Sequence, residues 1–203
     1  GLRPIGVVGQ AANTTGVTEY RIAAGNTNAI YQGSPVIPLS TGFIDIVGAA
    51  TGGTVGLLGV FWGCEYVSST TGEKIYSNSW PGSGADTDHP VTAFVYDNPM
   101  QTYVICSDAS LTNEATARGH VFANANFAAG TSGSSTTGIS SAKLGVSTIA
   151  TTAALQLRIM GIQNDPDNAD FAAAGVPVIV RLNNSFNSAN GAIVAGTPST
   201  TGV

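Results

Sequence analysis

His89 closes the run Asp86-Thr87-Asp88-His89, in which two carboxylates two residues apart precede an imidazole. Oxygen and imidazole donors this close together suit a divalent cation. Pro81, Gly82, Gly84 and Pro90 surround the run, so it reads as a solvated turn, and no metal is assigned to it. Asn164-Asp165-Pro166-Asp167-Asn168-Ala169-Asp170 is richer in oxygen but lacks the glycine and distal glutamate of an EF-hand loop. It reads as a cluster of Asx turns. His120 is the only other histidine, and neither histidine has a Ser or acid at a spacing that marks a triad. Gly130-Thr131-Ser132-Gly133 does not match the Gly-x-Ser-x-Gly elbow. Gly53, Gly56 and Gly59 recur every three residues without a Gly-Lys-Thr, which fits close backbone packing on a sheet better than a phosphate cradle. No catalytic residue, metal ligand or cofactor is assigned, and the expectation is that the chain is not an enzyme.

The elements around these residues come from a chain of unusual composition. Charged residues make up 9% of the 203 positions, against roughly 25% in an ordinary soluble domain. Gly, Ser, Thr and Asn take their place, so hydroxyls and amides hydrate the surface and neighbouring molecules repel only weakly. At 43% hydrophobic residues the chain can bury a full core in one domain. A net charge of −5, with Arg3, Arg21, Arg118, Arg158 and Arg181 scattered singly, argues against nucleic acid as a partner. No apolar run approaches the ~20 residues of a membrane-spanning helix, so no membrane partner is expected. Asn13-Thr14-Thr15 and Asn183-Asn184-Ser185 match the glycosylation triplet, but chance matches are expected in so Asn-, Ser- and Thr-rich a chain.

Short apolar runs broken by turn clusters predict about ten strands and an all-β antiparallel sandwich or barrel, jelly-roll-like in character. Expected strands are 5–8, 18–23, 34–39, 43–47, 56–67, 74–80, 91–96, 101–107, 155–162 and 176–182. Pro35 and Pro38 favour an edge position for the third. In the run 56–67, a period of two sends Val60, Trp62, Cys64 and Tyr66 to one face and Phe61, Gly63, Glu65 and Val67 to the other. Asp97-Asn98-Pro99 is read as the turn of a hairpin joining 91–96 to 101–107. The one helix candidate is 111–127, interrupted by Gly119. The domain reading is an extended N-terminal arm over 1–16, a single β domain over 17–185 and a polar tail over 186–203. The loop 129–141 and the tail are expected to be mobile or extended. Cys64 and Cys106 are either buried free thiols or a disulfide between neighbouring strands.

The order Gly-Leu-Arg-Pro-Ile, then Ala29-Ile30-Tyr31-Gln32-Gly33-Ser34-Pro35-Val36, Thr41-Gly42-Phe43-Ile44, Val60-Phe61-Trp62-Gly63-Cys64-Glu65-Tyr66, Asp97-Asn98-Pro99 and Pro166-Asp167-Asn168 resembles small virion structural proteins of tailed bacteriophages. These look like capsid cement or decoration proteins. The resemblance covers most of the chain and rests on order and spacing, with no single diagnostic motif. It implies a non-enzymatic protein on the exterior of an icosahedral head, assembled in the host cytoplasm. Its partners would be the major capsid protein and copies of itself, as trimer or dimer.

Arg3, Pro4 and Ile5 are the expected partner contacts in the arm, because an Arg and an apolar group have little local reason to sit in a neutral extended segment. Phe61 is a further candidate, as a large apolar group on the second face of its strand. Alternatives are a phage tail or spike component, or a cell-surface or secreted adhesin binding glycan or protein, with Trp80 beside Pro81 and Gly82 as a stacking platform.

Overall fold

The computed structural model describes residues 1–8, 16–48, 56–163 and 170–188. Three expectations concern other residues and lie outside the described ones: the triplet at Asn13, most of the Asn164–Asp170 cluster, and the tail beyond residue 188.

The protein is all-β and antiparallel. Its strands are β1 (Arg3–Val7), β2 (Thr18–Ile22), β3 (Pro35–Pro38), β4 (Ile44–Ile46), β5 (Gly59–Val67), β6 (Lys74–Ser77), β7 (Val91–Tyr96), β8 (Gln101–Cys106), β9 (Asn124–Ala125), β10 (Phe127–Ala128), β11 (Lys143–Leu144), β12 (Leu157–Ile162) and β13 (Pro177–Leu182). A five-stranded sheet has the order β1-β8-β13-β12-β9. A six-stranded sheet runs β2-β7-β5-β3-β4, with β6 also on β5, and β10 and β11 make a small ribbon.

The two large sheets share one core. Tyr103, Ile105, Leu157, Ile159, Val178 and Val180 of the five-stranded sheet pack in one buried cluster with Ile37 and Val60 of the other. A second cluster covers the far face of the six-stranded sheet, where Phe61, Cys64, Val91, Ala93 and Val95 meet Ile30 and Trp80 from flanking loops. The six-stranded sheet is therefore buried on both faces, and its central strands carry apolar residues on both sides.

Trp80 is fully buried. Its Nε1–H donates to the Asn26 carbonyl at 3.2 Å, and Tyr66 meets it edge-on with centroids 5.4 Å apart. This removes the exposed stacking platform expected at that position. Proline content also misplaces β3, which lies between β5 and β4 rather than at an edge. Its pairing with β5 covers only Pro35 and Val36, and its longer ladder with β4 leaves few donors to be lost.

Asp97-Asn98-Pro99 does not close a hairpin. The strands it joins belong to different sheets, β7 pairing with β2 and β5 and β8 with β1 and β13. Asn98 still forms the expected turn, its Oδ1 accepting from Met100 N at 2.9 Å and its carbonyl from Gln101 N at 3.0 Å. Ser68–Glu73 does make a hairpin turn, between β5 and β6, with Ser68 N donating to the Glu73 carbonyl at 2.8 Å and Gly72 at φ +70°.

The helix candidate shrinks to α1 (Glu114–Gly119). Asn113 caps it, its Oδ1 accepting from Thr116 N at 2.8 Å, and Arg118 answers Glu114 at 2.8 Å. Gly119 ends it; Val121 and Phe122 follow in a turn, and Phe127 enters β10.

Loop 129–141 is pinned to the body. Gln32 N donates to Gly138 O at 2.8 Å and Ser140 N to Gln32 O at 2.9 Å. A side chain at Gly133 would collide with the Tyr31 ring.

Candidate functional site

The two faces of the five-stranded sheet differ sharply. Leu157, Ile159, Val178, Val180 and Leu182 point into the shared core, so the residues alternating with them face away from it. Register places Asn124, Arg158, Arg181, Thr102 and Gly6 in one row across all five strands. Arg158 and Arg181 are direct cross-strand neighbours, an arrangement in which like charges repel. Arg158 Nε donates to Asn124 Oδ1 at 3.1 Å. Among the described residues, Arg181 has a 3.5 Å contact from Nη1 to the Met100 sulfur, and its Nε is buried without a partner. Burial, followed by the Arg158 charge, lowers the Arg181 pKa from its ordinary value.

Charge divides between the sheets. The strands of the five-stranded sheet hold Arg3, Arg158 and Arg181 and no acid, although the chain as a whole is acidic. Those of the six-stranded sheet hold Glu19, Asp45 and Glu65 with Arg21 and Lys74.

At the other end of the same outer face lies an open groove of about 450 Å³. Val104, Cys106 and Pro177 contribute its floor, Arg3 and Gln163 reach it from β1 and from the end of β12, and Trp62 enters from β5 of the other sheet. Gln163 Oε1 is buried there without a partner among the described residues.

Trp62 reaches the groove because β5 contains a β-bulge. Phe61 pairs with Val95 and Gly63 with Phe94, leaving Trp62 as the extra residue. The bulge reverses the alternation beyond it. Val60 and Trp62 therefore lie on one side, and Phe61, Cys64 and Tyr66 on the other, in place of the faces expected from a strict period of two.

The expected contact residues separate. Arg3 and Ile5 are exposed on β1, Ile5 at 50%, and Pro4 is half-buried. Arg3–Val7 is extended as expected, yet it is a strand of the body, paired with β8, rather than a free arm. Phe61 is fully buried in the second core cluster and has no surface to offer a partner. The side chains that accompany Arg3 at the groove, Trp62 and Cys106 among them, gave no functional signal in the sequence. They are brought there by the bulge and by cross-sheet packing.

The thiols are unpaired. Cys64 is buried, which pushes its pKa up to about 12, and Cys106 is exposed, contrary to the expectation that both are buried or bonded. In the Asp86 to His89 run, Asp86 Oδ1 accepts from Asp88 N at 3.0 Å and Oδ2 faces His89 Nδ1 at 3.2 Å. The hydrogen bond from Asp88 and then the His89 side chain hold the Asp86 carboxyl below its usual range. Among the described residues no group of three or more His, Cys, Asp or Glu side chains is gathered for a metal ion. No helix in the described residues is long and apolar enough to cross a membrane.

Comparison with protein families, curated proteins and solved structures finds no match to this chain.

Proposed function

We propose that the chain is a virion structural protein, a capsid cement or decoration protein. In this reading it binds the outer surface of an icosahedral phage head, as trimer or dimer, and strengthens the junctions between major capsid subunits. The observation that carries the reading is β1, an edge strand that presents Arg3 and Ile5 to solvent on a body with little surface charge. A cement protein lowers the free energy of a closed shell by burying area across subunit junctions. Weakly charged surfaces can be packed together at small desolvation cost.

The structure changes how such contact would be made. Pro4 lacks an N–H, and the pairing of β1 with β8 shifts between Pro4 and Gly6, two features that blunt an edge against strand addition. Side-chain contact through Arg3 and Ile5 fits this edge better than an added strand. Repetition of a weak contact over a lattice offsets its modest single-site affinity.

The test is sedimentation of the purified chain alone and after mixing with phage heads that lack it. A definite copy number per head supports the reading. A chain that stays free of heads at micromolar concentration contradicts it.

A further inference from the structure

We propose that the outer face of the five-stranded sheet is a docking surface for an acidic, apolar segment of a partner protein: Arg158 and Arg181 take its carboxylate and the groove beside Trp62 takes its apolar side chain. The identity of that partner as a shell protein rests on the function proposed above; the chemistry of the surface does not.

Three observations converge. First, Arg158 and Arg181 are cross-strand partners in the register, and no strand of the sheet holds an acid to neutralise them. Such a pair is unfavourable when empty and becomes favourable around a carboxylate, which accepts from both forks. Second, Arg181 Nε is a buried donor with no acceptor among the described residues. An unmet buried donor costs free energy that an arriving oxyanion recovers. Third, the apolar groove opens on the same face, bounded by Val104 and Pro177. In the register of β8, Val104 lies two residues from Thr102, the neighbour of Arg181, about 7 Å along the strand. An extended segment therefore spans both subsites within a few residues.

Charge complementarity selects the occupant. An acidic segment is attracted to a face whose strands carry three arginines and no acid, and its apolar residue removes the groove from water. Arg3 borders the groove, so this surface adjoins the edge contact through Arg3 and Ile5, while Arg158 and Arg181 lie on β12 and β13 away from β1.

The test uses the full chain and a synthetic hexapeptide of alternating Leu and Glu, followed by the Nε–H NMR signals of the arginines and by Trp62 emission. Trp80 is buried, so emission changes on binding report Trp62. The peptide is expected to move the Arg158 and Arg181 signals and Trp62 emission together, with affinity falling as salt rises. The Leu/Gln counterpart should bind at least tenfold more weakly, as should Arg158→Gln/Arg181→Gln. Arg118→Gln, which alters an exposed helix pair, should leave binding unchanged. If the double variant fails to fold, Arg158→Gln alone serves.

Absence of any shift with the Leu/Glu peptide overturns the proposal. So does inorganic phosphate moving the arginines as strongly as the peptide without affecting Trp62. On heads, a folded double variant that binds like the wild type overturns this surface while leaving the cement function standing. Peptide binding by a chain that ignores heads does the reverse.

Discussion

Phe61 and Cys64 lie on the same side of β5, although they are three positions apart, because Trp62 is the extra residue of a bulge. Phe61 enters the core and Trp62 a surface groove, and the bulge brings Cys64 and Tyr66 to the side of Phe61. The two tryptophans divide in the same way, Trp80 within the core and Trp62 at the groove, where it meets Tyr96 edge-on at 5.3 Å.

Truncating them should therefore have unequal effects. Trp80→Ala leaves a large cavity and is expected to cost about 3–5 kcal/mol. Trp62→Ala should cost roughly 1 kcal/mol, the scale of an aromatic pair with partial burial. Denaturant midpoints measure both, and equal losses would contradict the placement of Trp62.

Asp45 should be the most sensitive acid. Its carboxylate is buried and accepts from Asn26 Nδ2 at 2.9 Å, Asn28 Nδ2 at 2.9 Å and Ile46 N at 2.7 Å. Asp45→Ala strands these donors, at about 1–3 kcal/mol for each one left without water. A loss under 1 kcal/mol in chemical denaturation would show that the loop 26–28 is not held this way.

The thiols provide a count. In the native protein one cysteine, Cys106, should react quickly with a chromogenic disulfide reagent, and Cys64 only after denaturation. Burial favours the neutral thiol of Cys64, which raises its pKa to about 12 and slows attack further. Two fast thiols in the folded state would be the contrary result.

Alkaline pH should weaken the β2–β7 edge. Tyr20 donates to Asp97 Oδ2 at 2.8 Å, and burial, then that hydrogen bond, raises its pKa to about 12 from 10. A raised folded pKa means the stabilisation is complete below pH 10 and is lost as pH rises through about 12. Tyr20→Phe should reduce the slope of stability between those values, leaving the part contributed by Cys64, whose pKa is also raised.

Much of the architecture is legible in the sequence. Val91–Tyr96 is a strand with the bounds expected, and 101–107, 155–162 and 176–182 are placed to within two residues, because apolar runs between turn residues mark strands. Pairing is less legible. Asp97-Asn98-Pro99 forms its turn in the structure, yet nothing local says that the chain changes sheets there. The bulge at Trp62 is invisible to a strict period of two, and it moves Cys64 and Tyr66 to the side of Phe61. Register alone reveals Arg158 beside Arg181, since 23 positions separate them along the chain. Arg3 and Ile5 were legible as exposed groups, but their membership of a sheet depends on β8.

The proposed cement function requires that this chain strengthen a phage head. It is tested most directly by heating heads that lack the chain, with and without saturating protein, and following DNA release. A higher release temperature, in proportion to bound copies, is the predicted result. Heads that release DNA at the same temperature with the chain present contradict the account.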